Sequence, residues 1–108
     1  MAGLLPAACQ GGDPERGARL FQERGCHDCH AARTVPYHGP QPNPSRGPDL
    51  VAVRGKYRRQ ELIHWLNDPE GVYREQGRRP LNPGYPPMPQ VTLNREELED
   101  LLAFLARQ

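Results

Sequence analysis

The sequence predicts an all-α domain in which long proline- and glycine-rich loops join a few short helices. Three observations carry that expectation. Two stretches, PERGARLFQER near the start and NREELEDLLAFLARQ at the end, set apolar residues at helical spacing behind good caps. No stretch alternates apolar and polar residues as a strand would. The 13 prolines and 11 glycines among 108 residues leave room for little further regular structure. Only 36% of the chain is hydrophobic, and a chain this short buries a modest share of its surface. A compact fold of this composition asks for an apolar centre that is not protein.

The elements follow in order. Asp13 is a good N-cap for a helix over residues 14–24, Pro14 suits its first position, and Glu15 favours its positive end. Leu20 and Phe21 give it an apolar face, Gly17 leaves a bare spot one turn before Phe21, and Gly25 ends it. From Ala31 to Gly55 the chain reads as loop, with Pro40, Pro42, Pro44 and Pro48 close together. A short helix is expected over 60–67, with Leu62, Ile63, Trp65 and Leu66 as its apolar residues and Asp68-Pro69 as its stop. Residues 70–91 read as irregular and end in PLNPGYPPMPQ. Asn94 caps the last helix, Glu97 completes a capping-box pair, and Leu98, Leu101, Leu102, Phe104 and Leu105 form its apolar face. The length fits one domain, read here as residues 13–108 behind a flexible segment, 1–12.

Charge and hydropathy narrow the function. A net charge of +1 gives no support to nucleic-acid binding, which needs a strong basic excess. No stretch approaches the roughly 20 apolar residues of a membrane-spanning helix. The opening MAGLLPAAC reads as the last part of an export leader or as a lipoprotein tether. Leu-Pro-Ala-Ala before Cys9 resembles a degenerate lipobox, which makes Cys9 a candidate lipid anchor.

GCHDCH at 25–30 admits three readings. A redox dithiol needs its C-x-x-C between a strand and a helix of an α/β fold, and this one follows a helix with no sheet in prospect. A zinc site needs four ligands; Cys26 and Cys29 supply two, and His38 and His64 belong to no second paired cluster. Haem attachment needs C-x-x-C-H, which Cys26, Cys29 and His30 satisfy. Cysteines three apart on a helical turn present both sulfurs to the vinyl groups of one porphyrin edge. The adjoining histidine points the same way, toward the iron, while His27 projects elsewhere. The company this third reading demands is a second iron ligand. Met88, the only methionine besides Met1, lies in the proline-stiffened PGYPPMPQ rather than on an apolar helix stripe. A thioether fixed by its loop suits an axial position opposite His30. His38 and His64 read as surface or packing histidines, and Trp65 as core against a haem; Arg54 and Tyr57 are candidates to meet its propionates.

With these residues in view, the chain resembles a class I c-type cytochrome over residues 13 to 108. The matching residues are Gly17 and Phe21 before Cys26-Cys29-His30, then Gly47-Pro48-Asp49-Leu50, Met88-Pro89 and Phe104-Leu105. The 31–46 loop is longer and richer in proline than the family pattern, and GVYREQGRRPLN precedes Met88 as extra chain. The resemblance implies a cytochrome c fold, with three main helices and long loops wrapped around one covalent haem c. It further implies that the first and last helices cross near Gly17 and that the Pro48 carbonyl accepts the ring N–H of His30.

The implied function is one-electron transport, not enzyme catalysis, with the iron cycling between Fe(II) and Fe(III) in a respiratory or oxidative chain. Its partners would be redox proteins, a donor dehydrogenase and an acceptor oxidase or reductase. Its place would be the periplasm or the outer face of the cytoplasmic membrane. The competing readings are a haem subunit of a larger redox enzyme, such as one oxidising sulfur compounds, and a sensor or enzyme whose methionine ligand is displaced.

Overall fold

The first and last helices set the architecture. The computed structural model describes residues 11–39, 48–76 and 88–108. Five α-helices and one 3₁₀ turn occur there: α1 (Pro14–Glu23), the turn Cys26–Asp28, α2 (Val53–Lys56), α3 (Arg59–Asn67), α4 (Pro69–Glu75) and α5 (Arg95–Leu105). No strand occurs among the described residues. The prolines of 40–47, the stretch 77–87 with Pro86 and Pro87, and Cys9 lie outside them.

Both long terminal helices begin as their sequences dictate. The Asp13 carboxylate accepts the N–H groups of Glu15 at 2.9 Å and Arg16 at 3.4 Å. At α5 the capping box is complete: the Glu97 N–H donates to the Asn94 side chain at 2.8 Å, and the Asn94 N–H donates to the Glu97 carboxylate at 3.0 Å. The two helices pack with backbones nearly touching. A Cβ placed on Gly17 would stand 2.1 Å from the carbonyl oxygen of Asp100 and 2.6 Å from the Phe104 Cβ. Only a residue without a side chain permits that approach.

Around the crossing lies the core. The Phe21 and Phe104 rings meet with centroids 5.2 Å apart and planes tilted by 44°, a contact worth about 0.5–1.5 kcal/mol beyond its burial. Leu101 and Leu102 join Phe21 as the most deeply buried side chains, and Leu62 and Leu66 of α3 close the cluster. One carboxylate is buried at the seam. Asp100 accepts the Asp13 N–H at 2.7 Å and lies 3.9 Å from Arg16, so its burial is compensated. Arg24 ties the end of α1 to α5, pairing with Glu97 at 2.7 Å and donating to the Thr92 carbonyl. Gln108 ties the segment after the cysteine turn to the end of α5. Its side chain accepts from the Thr34 N–H and hydroxyl, both at 2.9 Å, and donates to the Phe104 carbonyl at 3.0 Å.

Two expectations need correction. Residues 70–91 are not irregular throughout, because α4 occupies Pro69–Glu75. Asp68 does end α3, but it also starts the next helix, its carboxylate accepting the Gly71 N–H at 2.9 Å with Pro69 in the first turn. The stop is also a start. Likewise the segment read as loop up to Gly55 closes in α2, entered through Ala52 in the left-handed region at φ 57°.

The crossing makes a direct prediction. Gly17→Ala should destabilise the protein by about 1–3 kcal/mol, because the added methyl meets helix backbone that cannot move aside. Gly55→Ala, where a Cβ meets nothing within 4 Å, should be neutral or slightly stabilising. Denaturant midpoints of the two variants check this; equal shifts would remove the crossing from the argument.

Candidate functional site

Gly25, with φ 77°, turns the chain out of α1 and straight into the Cys26–Asp28 turn. The Cys29 N–H donates to the Cys26 carbonyl at 3.2 Å, and the His30 N–H donates to the same carbonyl at 2.9 Å. One turn of backbone thus gathers Cys26, Cys29 and His30. Both cysteines are free thiols and half-buried, and Cys26 packs against the core. Burial pushes the Cys26 thiol up to about 11, so it stays protonated at neutral pH.

His30 is held by a bond that decides its chemistry. Its Nδ1 lies 2.7 Å from the Pro48 carbonyl oxygen. A carbonyl only accepts, so Nδ1 carries the proton and Nε2 keeps its lone pair for a metal. Burial lowers the proton affinity of the ring, outweighing the opposing pulls of the Pro48 carbonyl and Asp49. The neutral imidazole, the ligating form, is therefore favoured. The Leu50 N–H donates to the Ala31 carbonyl at 2.7 Å, docking residues 48–50 against 30–31. Ala52 then turns the chain into α2, whose Val53 is buried in the core. That left-handed turn costs about 1–2 kcal/mol, and the anchored residues on either side hold it in place.

Met88 comes from the far side of the sequence. It is half-buried against the core, and its N–H donates to the Tyr73 hydroxyl at 3.2 Å. Tyr73 stands on α4 and meets Trp65 of α3 edge-on, at a centroid distance of 5.1 Å and an angle of 83°. Tyr73 is the functional residue that sequence reading missed. The signal was Asp68-Pro69, which reads as well for a cap and first turn as for a stop.

The remaining candidates divide. Tyr57, Trp65 and His64 line one cavity together with Glu61, Val72 and Glu75. There His64 lies 3.6 Å from the Glu75 carboxylate, away from the C-x-x-C-H turn. Trp65 is half-buried, and Arg54 is exposed on α2. His27 turns to His38 in a ring stack at 4.8 Å.

These residues fit a covalently held haem. Two thiols and an oriented imidazole share one turn. Cys26, Leu50, Ile63, Met88, Leu93 and Leu98 border the core while staying only partly buried, so an apolar rim is left for a flat apolar group to cover. A neutral imidazole nitrogen and a thioether sulfur, the donor atoms of His30 and Met88, are types of donor that haem iron takes.

Comparison with known proteins agrees with this geometry. The family model described as Cytochrome c matches residues 14–108. No curated protein and no solved structure matches the chain. Since the matched region covers nearly the whole sequence and carries the C-x-x-C-H turn, the chain belongs to the cytochrome c family.

Proposed function

We propose that this protein is a monohaem electron carrier in which Cys26 and Cys29 bind haem c through thioethers and His30 and Met88 are the two axial ligands. Haem-based electron transfer follows from the family; the assignment of residues is the proposal. The observation that carries it is the 2.7 Å bond from His30 Nδ1 to the Pro48 carbonyl, on the same turn as both cysteines. That bond leaves Nε2 as the free donor and stiffens the ring.

When bound, the haem supplies an iron that changes by one electron without making or breaking protein bonds. The chain's residues have three tasks. Cys26 and Cys29 would anchor the group, so the haem stays beside His30. His30 is held neutral and in one orientation. Met88, its backbone fixed by Tyr73, offers a soft sulfur that favours the ferrous state and keeps small ligands off the iron. Trp65, Tyr57 and Arg54 are proposed to stand around the haem, with Tyr57 and Arg54 toward its propionates. The segment 1–12 is proposed as leader remnant or tether, with Cys9 as the lipid-bearing residue. The carrier works in the periplasm or on the outer membrane face, between a donor dehydrogenase and an acceptor oxidase or reductase of a respiratory or oxidative chain. No helix among the described residues is long and apolar enough to cross a membrane.

Three outcomes test this reading. Acidified acetone should leave the haem on the protein, whereas a Cys26→Ala, Cys29→Ala variant should carry none covalently; haem lost from the parent under acid sinks the attachment claim. Met88→Ala should keep the haem bound, lower the reduction potential by about 59 mV or more, a tenfold change for one electron, and let the reduced form bind carbon monoxide. An unchanged potential with no carbon monoxide adduct would remove Met88 from the iron. Tyr73→Phe deletes one hydrogen bond on Met88, worth about 1 kcal/mol, so imidazole should bind the ferric protein about five times more tightly. Equal imidazole affinity in parent and variant would show that Tyr73 does not position Met88.

A further inference from the structure

His27 and Asp28 are the two residues between the cysteines, where thioether attachment makes no demand on residue type. In this chain they meet a third polar residue, His38. The rings of His27 and His38 stack at 4.8 Å with planes 26° apart, and His38 Nδ1 lies 3.4 Å from an Asp28 carboxylate oxygen. One nitrogen from each histidine and one oxygen of Asp28 all lie within 4.8 Å of one another.

The backbone beneath these groups is fixed. The His38 N–H donates to the His27 carbonyl at 2.7 Å, and the Asp28 N–H donates to the Gly25 carbonyl at 3.0 Å. Gly39 passes so close that a Cβ there would stand 2.3 Å from the Asp28 carbonyl oxygen. The segment 37–39 is therefore clamped to the cysteine turn, while the side chains of His38 and Asp28 remain 72% and 58% exposed. The backbone is thus set, and the exposed side chains are free to turn toward a bound ion, which would itself lock them.

We propose that His27, Asp28 and His38 bind a divalent transition-metal ion of the zinc type on the turn that carries the cysteines. In a tetrahedral site, ligand distances of about 2.0–2.2 Å place two donors about 3.3–3.6 Å apart. Rotation of the exposed His38 and Asp28 side chains, taking His38 out of its stack on His27, closes the donors to that span and turns the two ring lone pairs toward a common point. Two imidazoles and a carboxylate form a borderline donor set that suits zinc or copper(II) and not magnesium or calcium. Three protein ligands leave a fourth position for water or for a group from another molecule. The site is separate from His30, whose Nδ1 is engaged by Pro48, and it rests on the chain's own geometry, not on the assignment of the iron ligands.

The test is calorimetric titration of the haem-loaded protein with zinc chloride, in a Cys9→Ser background that removes a competing thiol. The parent should bind one equivalent. His38→Ala and Asp28→Asn should each weaken binding by about 10-fold or more, a loss that even supporting residues of metal sites produce. Both side chains are exposed, so the haem absorption spectrum should stay unchanged and exclude a folding defect. His64→Ala, which breaks the other histidine–carboxylate pair, should bind zinc as the parent does. Failure of the parent to bind, affinity retained in either His38→Ala or Asp28→Asn, or an equal loss in His64→Ala would overturn the site.

Discussion

Everything in this fold hangs on the close crossing of α1 and α5, where Gly17 lets one helix backbone rest on the carbonyl of Asp100. The contact joins residues more than eighty positions apart, so it closes nearly the whole chain into one loop, at an entropic cost that grows only slowly with loop length. It is steep in geometry, because any side chain at Gly17 would separate the helices and with them Phe21 from Phe104. Two polar devices secure the crossing. Asp100 receives the Asp13 N–H at the entry of α1, and Arg24 reaches Glu97 and the Thr92 carbonyl from its exit. Exposed ion pairs contribute little on their own; here Arg24 matters because the next residues form the cysteine turn.

The site inherits its rigidity from that frame by short steps. Gly25 takes the chain from the fixed end of α1 into the turn without a linker, so Cys26 stands against the core that the crossing makes. Residues 48–50 then attach to the turn through two bonds of 2.7 Å, His30 to Pro48 and Leu50 to Ala31. The second is an ordinary backbone bond, and it is what keeps the first in register. Met88 is reached through other elements: α3 positions Trp65, α4 positions Tyr73 against it, and the Tyr73 hydroxyl meets the Met88 N–H. The two proposed axial ligands are thus held by independent parts of the chain. One is fixed on the turn that carries both cysteines; the other packs against the core and donates its N–H to Tyr73.

That asymmetry also explains what was readable in the sequence. The helix ends were legible because caps are local chemistry: Asp13, Asn94 and Glu97 act within three residues of where they stand. The C-x-x-C-H turn was legible because its spacing admits few other uses, whereas the crossing at Gly17 and the His30–Pro48 bond followed from the family resemblance alone. The start of α4 was not legible, since Asp68-Pro69 ends one helix and begins another with the same two side chains. The roles of Tyr73 and His38 could not be read at all. Each depends on a partner, Met88 or His27, brought near by tertiary structure and carrying no mark of the pairing. Trp65 was expected against a haem; in the chain alone it is half-buried and meets Tyr73 edge-on.

The partly buried rim explains why a chain so poor in apolar residues can hold a fixed shape. Leu50, Ile63, Met88, Leu93 and Leu98 come from separate segments and border the core without being closed over by protein. Each has surrendered chain entropy, about 1–2 kcal/mol per residue for the backbone alone, and received only part of the burial that normally offsets it. An apolar group covalently held beside this core would add to the burial of whichever of these residues it covers. A covalently attached group stays on the chain when it unfolds, so only the contacts it makes in the folded state add to stability. Tethering through the proposed Cys26 and Cys29 links would keep the group at high effective concentration beside the residues it covers. Fold and cofactor are then a single cooperative unit: the helix crossing builds one wall of the site, and the bound group supplies the other half of the core.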